Sequence, residues 1–283
     1  MSLAIGIERA SRRPPGWSAP GPRPAGAAGR PELAPAPGED LCHLAGDWRI
    51  LQRLDGHRWS LDDLVTAWFA AAVYDGRSPT HLLDLGCGIG AVLMLLAWRF
   101  PAARGRGIEA QAVSVALARR SLAWNGIADR CEVRPGDLRD PALIAPAAHD
   151  LVTATPPYLR PGTAHVSRRV QWAGCHFELR GGLEDYCTAA ARSLAPGGTF
   201  VTCAAAADAT RLERAGAAVG MRVTARMAVV PRDGKEALFT VHALRPADAA
   251  AGTVEHPPLV VRDRDGRRTL AFVALRRDMG MPP

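Results

Sequence analysis

From residue 79 onward the chain alternates short apolar runs with longer stretches whose apolar residues recur at helical spacing. "THLLDLG", "RGRGIEA", "RCEVRPGD", "HDLVTAT" and "TFVTCAA" each predict a strand that runs into a turn. "AVLMLLAWRF", "QAVSVALARRSLAWNG", "LEDYCTAAARSLAPGG" and "ATRLERAGAAVG" predict the intervening and following helices. "RMAVVPR" and "ALFTVHALR" flank Asp233-Gly234 and predict a closing antiparallel pair. Strand alternating with helix gives an α/β class: a doubly wound, mostly parallel sheet of seven strands, with an antiparallel strand at its edge.

Upstream the pattern changes. Residues 1–40 are dense in Pro, Gly, Ala and Arg and show no apolar period, which predicts a disordered tail. "WRILQRLDGHRWS" predicts two short strands joined at Asp55-Gly56. "SLDD", Ser60 to Asp63, predicts a capping box that opens a helix through "LVTAWFAAAVY". The expected organisation is therefore a tail over 1–40, a hairpin and helix extension over 41–78, and a main domain over 79–283.

Composition narrows the picture only at some points. The 283 residues are 48% hydrophobic, enough for a sizeable core. No apolar run reaches 18 residues, and the N-terminus lacks a secretory pattern. A cytoplasmic protein without membrane association is expected. The six cysteines form no CxxC pair and no zinc-finger spacing, so they predict reduced core residues and no metal. The formal charge is +7, with 34 Arg and a single Lys, Lys235. Two stretches concentrate that charge at a net +3 each: residues 159–182 and residues 262–278.

In a doubly wound sheet ligands bind beyond the carboxyl ends of the strands. After the first strand comes "DLGCGIG", with Asp84, Gly86, Gly88 and Gly90. Its glycines permit close approach of a ligand, and the next helix presents its N-terminus. Glu109 follows the second strand, 19 residues beyond Gly90, where a carboxylate can accept from both ribose hydroxyls. These two features fit NAD(P) and S-adenosylmethionine equally. Asp137, in "GDLRD" after the third strand, is placed for an adenine amine and favours S-adenosylmethionine.

The fourth strand ends in Thr155-Pro156-Pro157-Tyr158. With "LDLGCGIG", Glu109 and Asp137 in the same order, the chain resembles the class I S-adenosylmethionine-dependent methyltransferases that act on planar nitrogens through an Asn/Asp/Ser-Pro-Pro-Tyr/Phe corner. "RWSLDDLVTAWFAA", "HFELRGGLEDYCTAAARSLAPGG" and "PRDGK…HPPLVVRDRDG" are similar to segments of the bacterial tRNA adenine-N6 methyltransferases that modify valine tRNA beside the anticodon. The likeness covers roughly residues 41–280. It implies a Rossmann-like methyltransferase sheet, S-adenosylmethionine as cofactor, and a tRNA or other RNA as partner. It implies cofactor contacts at Asp84, Gly86, Gly88, Gly90, Glu109 and Asp137, and methyl transfer to adenine N6 at Thr155, Pro156 and Tyr158.

A fixed proline φ would aim the Pro156 carbonyl at an amine, and Tyr158 would stack on the base. Pro157, Arg160, Arg168 and Arg169 are expected on the substrate side, the arginines at phosphates. Thr155 departs from the family's Asn, Asp or Ser. Other readings stay open at this point: a protein-glutamine or small-molecule N-methyltransferase, an NAD(P) oxidoreductase, and a non-catalytic RNA-binding relative.

Overall fold

A computed structural model describes residues 6–10, 13–74, 78–160, 162, 170–247 and 252–283. Its N-terminal part is a small sheet of β1 (Ile7–Glu8), β2 (Glu39–His43) and β3 (Arg49–Arg53), followed by helix α1 (Leu61–Val73). The hairpin is not the one expected around Asp55-Gly56. β3 pairs antiparallel with β2, upstream of it, and Gly46 takes a left-handed φ of 55° in the connection. Residues after Gly56 are drawn to side chains instead of a ladder. Trp59 N–H donates to Gln52 Oε1 at 2.9 Å, and Arg58 donates to both oxygens of Asp40 at 3.0 Å. The capping box at α1 is in place on its acidic side: Ser60 N–H donates to Asp63 Oδ2 at 2.9 Å.

Residues 13–40 do not hang free as a tail. Leu33 is buried, Gly26 N–H donates to the Trp124 carbonyl, and Arg120 clamps the Glu32 carbonyl and the Glu39 carboxylate. An aperiodic sequence can be held this way because the backbone bonds go to arginine side chains of the domain, which leave no pattern in the segment itself.

The main sheet follows: β4 (His81–Leu85), α2 (Ala91–Arg99), β5 (Arg104–Glu109), α3 (Ala112–Trp124), β6 (Cys131–Pro135), β7 (His149–Ala154), α4 (Val170–His176), α5 (Leu183–Ser193), β8 (Leu194–Ala205), α6 (Ala209–Ala218), β9 (Met221–Val230), β10 (Phe239–Pro246), β11 (Val254–Val260) and α7 (Leu270–Asp278). The strand order is β11-β9-β10-β8-β7-β4-β5-β6. The mostly parallel, doubly wound class read from the pattern is borne out, with eight strands rather than seven. β10 runs antiparallel to both neighbours and stands third from one edge, because β11 adds beyond β9. β11 carries Pro257 and Pro258, and its register slips between His256 and Leu259, which only an edge strand tolerates.

Two apolar cores lie on opposite faces. α1, α2 and α3 pack on one, with Leu93, Leu96 and Phe69 fully buried. α5 and α6 pack on the other, against Phe200 and Leu244. The chain runs outward from β4 through β5 to β6 and then returns to β7, on the other side of β4. That reversal leaves a crevice at the carboxyl ends of β4 and β7.

The floor of the crevice is tightly packed. A Cβ on Gly107 in β5 would lie 2.5 Å from Cys87 Sγ. Gly107→Ala is therefore expected to cost about 1–3 kcal/mol of stability by overpacking and to displace the 86–90 loop. Cys87→Ala in the same chain should restore part of the loss. Thermal unfolding of the single and double variants checks this; equal stability of Gly107→Ala and wild type would contradict it.

Candidate active site

One cleft at these strand ends gathers most of the residues singled out in the sequence. Gly86, Gly88, Glu109, Asp137, Thr155, Pro156, Pro157 and Tyr158 all line it. Asp84 and Gly90 lie just beneath: Asp84 is buried at the end of β4, and Gly90 caps α2 in a left-handed conformation with φ 84°.

The cofactor side is a loop held by carboxylates. Glu109 Oε2 accepts from Gly88 N–H at 2.9 Å, and Oε1 accepts from Gln111 N–H at 2.6 Å. Each carboxylate oxygen has a second lone pair, so both keep one for a hydroxyl. Burial raises the Glu109 pKa, and the two amides offset only part of that. A Cβ on Gly88 would meet nothing within 4 Å, so the loop turns bare backbone to open space. Asp84 Oδ1 accepts from Thr153 Oγ1 at 2.8 Å, while Oδ2 has no hydrogen-bond partner among the described residues. Burial pushes the Asp84 carboxyl up to about 7. An unpartnered buried oxygen, a bare glycine turn and a carboxylate with spare acceptors suit a ligand with hydroxyl and ammonium groups.

Asp137 differs from its expected state. Arg139 grips its carboxylate, with Nε 2.9 Å from Oδ1, and this hydrogen bond holds the carboxyl below its usual range. Any contact to an adenine amine would use the remaining lone pairs.

The acceptor side contains groups that the motif reading left out. Asp62 and Asp63, at the start of α1, reach across the cleft to the corner, with His57 and His176 beside them. Tyr158 OH donates to Asp62 Oδ2 at 3.2 Å and lies 3.2 Å from Cys203 Sγ. Thr155 Oγ1 is 3.5 Å from Asp63 Oδ1, a long donor contact. Asp63 is fully enclosed, and burial, then the Asp62 charge, raises its pKa well above the carboxylate range. Burial, then the neighbouring His176, lowers His57 to about 4, so its imidazole is neutral. The signal was present: Ser60, Asp62 and Asp63 belong to the segment that resembles the family upstream of the core.

Beyond the corner, Leu159 N–H donates to the His176 carbonyl at 3.0 Å and Glu178 N–H to the Leu159 carbonyl at 2.8 Å. These bonds fasten the corner to the end of α4. Glu178 itself is taken by Arg211, with Nη2 3.0 Å from Oε2. Arg160 lies outside the cleft and pairs with Asp208 at 2.9 Å. Arg168 and Arg169 lie outside the described residues. Arg180, not expected at the site, lines the cleft and its charge favours ionised Glu109.

The family model described as "Methyltransferase small domain" matches residues 63–206, half of the chain. The chain belongs to that family. S-adenosylmethionine is its cofactor. The tRNA1(Val) (adenine(37)-N6)-methyltransferase of Porphyromonas gingivalis is 34% identical over 118 residues, 41% of this chain and 46% of that protein. The chain thus matches about half the length of that relative. The protein of the same name from Dickeya chrysanthemi is 27% identical over 71% of this chain and 81% of its own. A release factor glutamine methyltransferase from Bordetella pertussis is 33% identical over 39% of this chain and 38% of its own. The solved structure of a predicted O-methyltransferase from Agrobacterium tumefaciens covers 78% of this chain and 98% of its own at a TM-score of 0.59 and 20% identity, which shows the fold.

The buried carboxylates of this methyltransferase domain fix the sign of a pH effect. A carboxyl whose folded pKa is raised favours the protonated form. Stability is then greatest below about pH 4 for that group and declines as pH climbs to the raised value. For Asp84 the decline runs up to about pH 7. Asp84→Asn keeps an acceptor for Thr153 and should remove this decline. Melting temperatures of both proteins between pH 4 and 8 check it; parallel curves would contradict it.

Proposed function

We propose that this protein is an S-adenosylmethionine-dependent N-methyltransferase whose acceptor is adenine N6 of a tRNA. The observation that carries the reading is the sharing of one cleft by Gly88, Glu109 and Asp137 with Thr155, Pro156 and Tyr158. When bound, the cofactor supplies an electrophilic methyl group on a sulfonium. The chain's own task is to present the amine. An adenine amine is conjugated into its ring and is a poor nucleophile. The Pro156 carbonyl, whose ψ is confined by the following Pro157, accepts one N6 hydrogen and stabilises positive charge as it develops.

Thr155 would accept the other, and Asp63 explains how a threonine can serve there. A hydroxyl is both donor and acceptor. Donation to Asp63 leaves the Thr155 oxygen with its lone pairs toward the amine. Asp62 holds the Tyr158 hydroxyl, which fixes the ring as a plate for the base, worth about 1–3 kcal/mol. A raised Asp63 pKa also suits a group that takes up a proton during the reaction.

The relatives named for adenine support RNA as substrate, and the wider coverage of the Dickeya protein favours it over the glutamine enzymes. A protein-glutamine acceptor is the second reading, because its amide nitrogen poses the same demand. Cytoplasmic localisation goes with the tRNA reading.

Transfer of tritiated methyl groups to total tRNA tests the proposal. Incorporation into tRNA supports it; labelling of a protein fraction with none in tRNA would move the reading to glutamine. Asp63→Asn should lower the rate by about a hundredfold, the range of one positioned proton acceptor, with cofactor affinity kept. The wild-type rate should fall as pH drops through the raised Asp63 pKa, above the ordinary carboxylate range. That limb should be missing from Asp63→Asn. An identical pH profile in both would remove Asp63 from the chemistry.

A further inference from the structure

A second cavity has Trp59 in its lining, one residue before Ser60 of the cleft. It encloses about 700 Å³, inside the range of ligand pockets, about 300–1,000 Å³. The N-terminal segment, the β2 hairpin and the residues around α7 build its walls. Arg9, Arg13, Arg268 and Arg276 line it against one carboxylate, Glu8. Trp17 and Trp59 line it too, and the Arg13 guanidinium sits 5.1 Å over the Trp17 ring. Trp59 joins this cavity to the methyl-transfer cleft, since its neighbour Ser60 and nearby His57 line the cleft.

The charge here is only partly compensated. Arg9 pairs with Asp40, and Arg13 pairs with Asp47. Arg276 hydrogen-bonds to the Pro282 main-chain carbonyl at 2.9 Å, and Arg268 donates to an oxygen of Pro283, the last residue of the sequence, at 2.7 Å. Neither forms an ion pair with a side-chain carboxylate among the described residues. Burial, then the adjacent Arg268, lowers the Arg276 pKa to about 10. Two like charges side by side, one of them half-buried, are costly unless an anion joins them. His43 adds a buried Nε2 with no hydrogen-bond partner among the described residues.

Arginines sharing one lining with tryptophans suit one chemistry above others. Phosphates take the guanidinium groups and bases stack on the indoles. We propose that this groove binds a single-stranded stretch of the RNA substrate that flanks the methylated base. The basic run at 262–278 thereby acquires a role through Arg268 and Arg276. The inference rests on the tRNA reading above for the identity of the strand. The groove holds the backbone beside Trp59 while the target base enters the cleft. A loop nucleotide is already unstacked, so little pairing energy is lost in splitting it this way.

The test is equilibrium binding of a fluorescent single-stranded RNA of roughly ten nucleotides, the span of one single-strand site, to the full chain without cofactor. Arg268→Glu is exposed and should fold; Arg276→Met keeps the stem of the side chain. Each should weaken binding by about tenfold, and the double variant should lower the salt slope by about two phosphate contacts. Arg264→Glu, on the surface beside Asp233, should bind as wild type. Unchanged cofactor affinity in the variants shows an intact fold. Equal RNA binding by wild type and the Arg268 and Arg276 variants overturns the groove, as does RNA displacement by inorganic phosphate at matched concentration. Methylation of tRNA is scored separately. Wild type that methylates tRNA while the groove variants bind RNA normally keeps the function and loses the groove. Wild type that binds RNA through the groove but methylates none keeps the groove and loses the function.

Discussion

The cleft depends on the Glu109 carboxylate. It ties the glycine loop after β4 to the end of β5 through bonds of 2.9 Å to Gly88 and 2.6 Å to Gln111. The loop can take that position only because β5 carries Gly107 beneath Cys87, and because Gly86 and Gly88 accept φ near 60°. Glu109 is thus structural before it is a ligand group. Its cost is burial of charge, and the same cost is repeated at Asp84 and Asp63. Three buried carboxyl groups in or just beneath one crevice supply hydrogen-bond acceptors, which suits a cofactor and an acceptor that carry donors.

How much of this was legible follows from where the determining contacts lie along the chain. Strand ends carry short local signals, so the glycine loop, Glu109, Asp137 and the corner could be read directly, and they do meet in one cleft. Asp62 and Asp63 are marked only by the likeness of their segment to the family and by the capping pattern, neither of which points to the cleft. Capping accounts for Asp63, whose Oδ2 accepts from Ser60 N–H, and only the packing of α1 across the ends of β7 brings the two acids to Thr155 and Tyr158. Arg160 shows the reverse. A basic residue after the corner suggested phosphate binding, yet Asp208, far along the chain, takes its guanidinium. Asp137 likewise meets Arg139 two residues on, a pairing that its turn sequence leaves open.

The N-terminal segment and β11 teach the same lesson at the level of the fold. A Pro/Gly/Ala-rich stretch has no period of its own, and long-range bonds from Arg120 and Arg49 hold it. β11 contains a Pro-Pro pair that argues against a central strand, but an edge position removes the objection. Both elements lie at the margins of the domain. The N-terminal segment, with the β2 hairpin and the residues around α7, makes the arginine- and tryptophan-lined groove, so a part hard to read in the sequence helps to shape that surface.

Under the proposals above, the cleft would carry the chemistry and the groove beside Trp59 would hold the strand. The account stands or falls on the identity of the modified base. Mass spectrometry of tRNA nucleosides from a strain lacking this protein, and from the same strain carrying it again, measures that directly. The account predicts that N6-methyladenosine drops in the tRNA of the deleted strain and returns with the wild-type chain but not with Asp63→Asn. Unchanged N6-methyladenosine across all three strains would contradict it.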